Sequence, residues 1–320
     1  MNRNGIKRLT AALTLALAAS SASATINWGP YPLTTVFQDD NIDGVFNYVD
    51  SNGDGVPDSL TPDTDGNIDV NDVLVAIFEL NSANGVPIGP DQELTGVAVI
   101  QFDHFADIDG SGGANDMVFR PFDGGMNLLL NTVGVNISDD TNAVVAAWLD
   151  DSPDLEISAD AFNGGSNSCA TLASCLTQAT DGMLWEVDSL DTTNDPDNFW
   201  IALNAQTNTN VVVASDPALA FGNVNAGLSI LYNGTGKNLL TDSISCFPYC
   251  GGVFGGVGNV DVLLSGSIKG GNVLPGSLVE EGFVATSDFD ATKRVPEPAS
   301  LALFGIGMIG FRLLQGRAKA

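Results

Sequence analysis

The chain has 320 residues, with 39 aspartates and glutamates against 11 lysines and arginines, a formal net charge of −28. Between residues 25 and 292 the imbalance is steeper: Arg120, Lys237 and Lys269 are the only basic side chains against 38 acids. A surface of this sign repels nucleic acid and anionic lipid headgroups, which excludes them as partners of the body, while Val, Ile, Leu and Phe are frequent enough to build a core.

At the N-terminus Arg3, Lys7 and Arg8 precede an apolar run from Leu9 to Ala19, and Ala22-Ser23-Ala24 offers small residues to signal peptidase. This is the three-part layout of a secretory leader over residues 1–24, with Thr25 as the first mature residue. The expected plan is a leader, an acidic secreted body over 25–292, and a C-terminal segment over 293–320.

Residues 50–72 place oxygen-bearing side chains on alternate positions followed by glycine, as a Ca²⁺ loop requires. Alternation points oxygens inward, and the glycine allows the sharp turn that lets one chain surround the ion. In the first loop Asp50, Asn52 and Asp54 lead to Gly55, Val56 offers its carbonyl, and Asp58 completes the set. The second runs from Thr61 through Asp63, Asp65, Gly66, Asn67 (carbonyl), Asp69 and Asp72. Val70, Val73, Leu74, Ile77 and Phe78 then recur at helical spacing, with Asp69 as N-cap, which predicts a helix over 70–80. The stretch resembles EF-hand-like and thrombospondin type 3 calcium repeats. Thr61 stands where the second loop would begin with Asp, and neither loop ends in Glu, so the resemblance implies weak, extracellular-type Ca²⁺ affinity. Asp107, Asp109, Ser111, Gly112 and Asn115 repeat the skeleton with poorer ligands.

From about residue 95 onward the pattern is β. Met183, Trp185 and Val187 alternate with Leu184, Glu186 and Asp188. Phe199–Ala205 and Asn210–Ser215 flank a four-residue polar loop, and Leu228–Tyr232 and Lys237–Leu240 flank Asn233-Gly234, a strong turn signal. In Glu281–Thr292, Phe283, Ala285, Ser287, Phe289 and Ala291 share one face. A second short helix is expected at Asn142–Leu149. The expected fold is mainly β, an antiparallel β-sandwich-like body with one or two short helices.

Four cysteines fall in two close pairs, Cys169 with Cys175 and Cys246 with Cys250. Three pairings are possible; in an oxidising compartment the local one is the natural reading, and neither spacing suits a metal knuckle. The single histidine, His104, lies in Phe102-Asp103-His104-Phe105 with no nucleophile elbow in the chain, so no enzyme activity is expected. Two alternatives stay open: a carbohydrate- or ice-binding module using Trp28, Trp148, Trp185 or Trp200, and a polysaccharide hydrolase using paired carboxylates.

The chain ends with Pro296-Glu297-Pro298, an apolar run from Ala299 to Phe311, and a tail carrying Arg312, Arg317 and Lys319. A run of about 13 residues gives roughly 20 Å of helix, short of the ~30 Å hydrocarbon core, so a span would extend over about 296–314 with Arg312 reaching the interface. Pro-Glu-Pro, a short glycine-rich apolar helix and a basic end resemble the PEP-CTERM sorting signal. The resemblance implies recognition by exosortase, at least transient membrane anchoring, and delivery to the surface, outer envelope or exopolysaccharide matrix of a Gram-negative bacterium. The functional expectation is a structural or adhesive surface protein that binds Ca²⁺ and meets extracellular polysaccharide.

Overall fold

The computed structural model describes residues 34–63, 68–110, 112–113, 116–138, 142–157, 167–203, 220–249, 257–270, 278 and 280–295. The strands are β1 (Thr35–Val49), β2 (Ser59–Pro62), β3 (Val73–Ala83), β4 (Val86–Pro87), β5 (Glu93–Ala106), β6 (Asp116–Pro121), β7 (Ala143–Asp150), β8 (Met183–Ser189), β9 (Phe199–Leu203), β10 (Ala220–Asn233), β11 (Ile244–Ser245), β12 (Asn259–Val260), β13 (Val262–Gly270) and β14 (Phe283–Lys293). Two short helices, α1 (Met126–Leu130) and α2 (Leu172–Thr180), lie between them.

The body is antiparallel β, as its alternation predicts, and its main sheet closes on itself. Pairings run β1–β3–β5–β7–β8–β10–β13–β14 and return to β1. β6 and β7 lie end to end along β5, because β6 pairs with its second half and β7 with its first. β9 and β8 lie end to end along β10 in the same way, with β6 against β9 and β7 against β8. The layers of the body are thus opposite walls of one barrel with eight strand positions, taken in chain order. Closure removes the open edges that an acidic sheet would otherwise expose.

Alternation sorts side chains to the two surfaces of this wall. Inward-facing residues include Ala76, Phe78, Ala98, Trp200, Val262, Leu264, Phe289 and Ala291, which line one internal cavity of about 60 Å³. On the outside, Ile42, Val73, Val75, Ile77, Val97 and Val99 meet a cover built from Met126, Leu129, Leu130, Leu155, Ile157, Cys175 and Leu176. Two acids pin that cover: buried Glu93 accepts from the amides of Asp154 and Leu155 at 2.8 and 2.9 Å, and half-buried Glu79 from Ile157 at 3.0 Å. A smaller outer cluster joins Phe199, Ile201 and Leu203 to Ile244, Cys246 and Val260.

Three local expectations are corrected. Residues 73–83 form strand β3, not a helix: Val73, Val75 and Ile77 are β-branched, pack on the outer cover, and alternate with inward Leu74, Ala76 and Phe78. Both faces are covered, so apolar residues fill nearly every position and match helical spacing by accident. Residues 143–150 are strand β7 for the same reason. Lys237–Leu240 forms no return strand; the turn is held by Asn233, whose Nδ2 donates to the Lys237 carbonyl at 2.9 Å, and Leu240 then donates to the Arg294 carbonyl at 2.9 Å. Asn210–Ser215 lies outside the described residues. The helix that forms at 172–180 starts with a capping box between Thr171 and Ser174. The expected Cys169–Cys175 disulfide is present, with Cα atoms 4.9 Å apart. Cys246 is disulfide-bonded as well, and Cys250 lies outside the described residues.

Gly96 on β5 shows how tightly the wall is packed. A Cβ there would collide with the Phe78 ring and with the Ala146 carbonyl of the neighbouring strand. Gly96→Val should lower stability by about 1–3 kcal/mol, read as a reduced chemical-denaturation midpoint with unchanged slope.

Candidate functional site

Strand direction divides the connections between two rims. β1, β5, β8/β9 and β13 run one way; β3, β6/β7, β10 and β14 run the other. The β1–β3 connection, containing residues 50–72, and the β5–β6 connection, residues 107–115, therefore share one rim. Lys293, the end of β14, is at the other, so the sorting tail and the acidic loops leave the barrel at opposite ends.

The first loop is curled by its own aspartates. Asp50 accepts from the amides of Gly53 and Gly55 at 2.7 and 2.8 Å, Asn52 from Asp54 at 2.8 Å, and Asp54 from Val56 at 2.8 Å. Asp58 accepts from Ser51 at 2.8 Å and closes the loop. Gly53 and Gly55 have φ of 74° and 86°, which their lack of Cβ permits. Amide donation, first from Gly55, holds the Asp50 carboxyl below its ordinary range. Asn52, Asp54 and Asp58 are exposed and Asp50 is half-buried, so the loop presents its side-chain oxygens at the surface.

The second loop departs from its expected form. Asp65 and Asn67 lie outside the described residues. Asp63 joins the β1 edge, its carboxylate accepting from Asn47 at 3.1 Å. Asp72 is buried and accepts from the Asp69 amide at 2.5 Å, turning the chain into β3. The exit helix of an EF-hand is replaced by a strand, so that resemblance fails at the element which would orient the last ligand.

In the third segment Asp107, Asp109 and Asp116 bring ligand atoms within 4.8 Å of one another. Oxygens on opposite sides of a Ca²⁺ ion stand about 5 Å apart, given 2.3–2.6 Å bonds, so the cluster has the dimensions of a cation site. Asp116 is fully buried, and its Oδ2 accepts from the amides of Ile108 and Asp109 at 2.6 and 3.1 Å. Asp116, the first residue of β6, lies one position beyond the sequence skeleton that ends at Asn115, and an acid opening that strand is the signal for it.

His104 is exposed and pairs with its neighbour Asp103 at 2.7 Å. Trp148, Trp185 and Trp200 are buried, so none of these three supplies an exposed aromatic platform, and Trp28 lies outside the described residues. Asp191, Asp195 and Asp197 accept from amides of their own loop or of Asn259 and organise turns.

A separate set of charges is inside the barrel. Asp39, Asn41, Glu186, Asp188 and Lys293 line the main cavity, and Asp43 lines a smaller one. Lys293 Nζ pairs with Glu186 Oε1, and both side chains are 5% exposed or less. Desolvation pushes Asp39 and Asp188 well above the carboxylate range, raises Asp43 to about 7, and lowers Lys293 to about 7. Glu93, under the outer cover, is also raised to about 7 by burial.

Comparison with known proteins identifies the far end of the chain. Residues 294–317 match the PEP-CTERM protein-sorting motif. The motif marks the protein for export and for sorting by exosortase to the envelope or surface of a Gram-negative bacterium. No curated protein matches the chain. No family match supports the calcium-repeat resemblance. Pro296, Glu297 and Pro298 lie outside the described residues. The motif begins directly after β14: Arg294 is still held to the body, its guanidinium donating to the Ser243 carbonyl at 2.5 Å. Among the described residues no helix is long and apolar enough to cross a membrane; the segment expected to do so lies outside them.

The raised carboxyls fix the sign of a pH effect. Each acid whose folded pKa exceeds its unfolded value binds its proton more tightly in the folded state. For Asp43 and Glu93 that stabilisation is complete below about pH 4 and disappears as pH rises through about 7. The thermal midpoint should therefore fall between these values. Asp43→Asn, which can still accept from Ser287, should reduce that fall by about 2 kcal/mol, measured by denaturation at both pH values.

Proposed function

We propose that the protein is a non-catalytic, calcium-stabilised barrel displayed at the bacterial surface, with a structural or adhesive role in the envelope or exopolysaccharide matrix. The observation that carries this reading is the placement of the exposed acidic loops on the rim opposite the sorting tail. A body anchored or joined through residues 294–317 would turn residues 50–58 and 107–116 away from its attachment point. Cations bound there would offset the self-repulsion of an almost purely anionic surface, and could bridge it to acidic polysaccharide.

The donor set suits this role. The first loop offers oxygens from Asp50, Asn52, Asp54 and Asp58, and the third from Asp107, Asp109 and Asp116, all hard ligands of the kind Ca²⁺ prefers. In this reading Asp63, Asp65, Asn67 and Asp69 contribute less, because Asp72 is committed to the start of β3. The burial of Trp148, Trp185 and Trp200 disfavours a tryptophan-based sugar platform.

Millimolar Ca²⁺ should raise the thermal midpoint of the protein by selective binding to the folded state, an effect of about 1–3 kcal/mol for sites in the 10⁻⁴–10⁻³ M class. Asp54→Ala and Asp109→Ala should each remove part of the gain without lowering the midpoint in chelator. A midpoint indifferent to Ca²⁺ would eliminate the stabilising role.

A further inference from the structure

We propose that Lys293 and Glu186 are joined in the folded protein by an intramolecular amide bond that forms between Lys293 Nζ and Glu186 Cδ with loss of water. The two residues are on strands that are not neighbours: β14 and β8 are separated by β13 and β10, and the side chains meet across the barrel interior. They are 107 positions apart in sequence, so the bond would be a covalent strut across the barrel interior near the rim where β14 ends.

The surroundings supply what amide formation needs. The nucleophile must be a neutral amine, and burial lowers Lys293 to about 7. Nζ lies 5.0 Å from the centre of the Trp185 ring and 5.8 Å from that of Phe37, which keep bulk water away from the reacting atoms. Glu186 Oε1 is already against Nζ, while its Oε2 has no hydrogen-bond partner among the described residues. Holding amine and carboxyl together in a closed interior replaces a bimolecular encounter with an intramolecular one.

Asp188 follows Glu186 by two positions on the same strand and lines the same cavity. Its Oδ1 also has no partner among the described residues, and burial raises its carboxyl well above the ordinary carboxylate range. The step balances as a condensation. Proton transfer within the Lys293–Glu186 pair gives amine and carboxylic acid. Nζ then attacks Cδ to form a tetrahedral carbon. Asp188 takes a proton from nitrogen and returns one to the departing oxygen, the C–O bond breaks, and water leaves into the cavity. Asp188 ends as it began, and no oxidant or other reactant is consumed. The position of Lys293, one residue before the matched sorting motif, gives the bond a purpose. Load entering through the tail would pass into β8 covalently instead of peeling β14 from its neighbours.

The test is mass spectrometry of the folded full chain after denaturation and reduction. The expected mass is lower than that of the sequence by one water, and digestion should yield a branched peptide joining Lys293 to Glu186. Linear peptides with unmodified Lys293 and Glu186 would overturn the proposal. So would a missing water located at an Asp-Gly step such as Asp43-Gly44 or Asp181-Gly182, where succinimide formation loses the same mass. Lys293→Arg keeps the charge but lacks the amine; it should fold, shown by its near-UV circular dichroism, and retain the full mass. Asp188→Asn should slow bond formation after refolding at least tenfold, and equal rates would remove Asp188 from the mechanism. These readouts are independent of Ca²⁺.

Discussion

The pairing of β14 with β1 closes the sheet, and most other features depend on that closure. It brings residues 283–293 against residues 35–44 over a register broken only beside Gly44. Without it the inward faces of β1 and β14 would open to water, with Asp39, Asp43, Ser287 and Lys293 on them. With it those groups become an interior, and their ionisation is governed by desolvation. The same pairing brings the last body residue to a defined point on one rim, directly before the sorting motif. Fold and destination are therefore linked at one strand end.

Acidic residues fall into two populations with opposite physics. Asp54, Asp58, Asp107 and Asp109 are exposed, and amide donors favour the charged form of half-buried Asp50; like charges so placed repel one another. Those inside the barrel and beneath its cover, Asp39, Asp43, Asp188 and Glu93, are pushed toward the neutral form. A net charge of −28 thus overstates the charge the folded molecule carries near neutrality. The outer carboxylates keep the surface anionic. The inner ones organise backbone amides, as Asp39 does for Phe289 and Glu93 for residues 154 and 155.

How much of this was legible depended on whether one face of an element meets water. β14 and β8 keep polar residues on alternate positions, so period two marked them as strands. β3 and β7 are covered on both faces, and continuous apolar runs carry no period that separates helix from strand. Their β-branched residues were the better guide. Helix α2 was hidden by its cysteine, since Thr171 and Ser174 form a cap that the disulfide spacing overshadowed. The sorting signal was readable because its information is local. The Lys293–Glu186 pair was not: it depends on two strands meeting across a closed barrel, and neither residue has a neighbour in sequence that announces the other. Lys293 read as part of a basic tail, and Asp116 as the start of an ordinary strand.

Amide hydrogen exchange measures closure of the barrel by its last strand directly. If β14 seals the sheet against β1 and β13, the amides of residues 285–292 and 36–42 should exchange as slowly as those of the central strand β5, through the same cooperative opening. Exchange of residues 285–292 that is orders of magnitude faster than that of residues 97–102 would contradict it. β14 would then be a detachable edge, and the interior built on it would not exist as described.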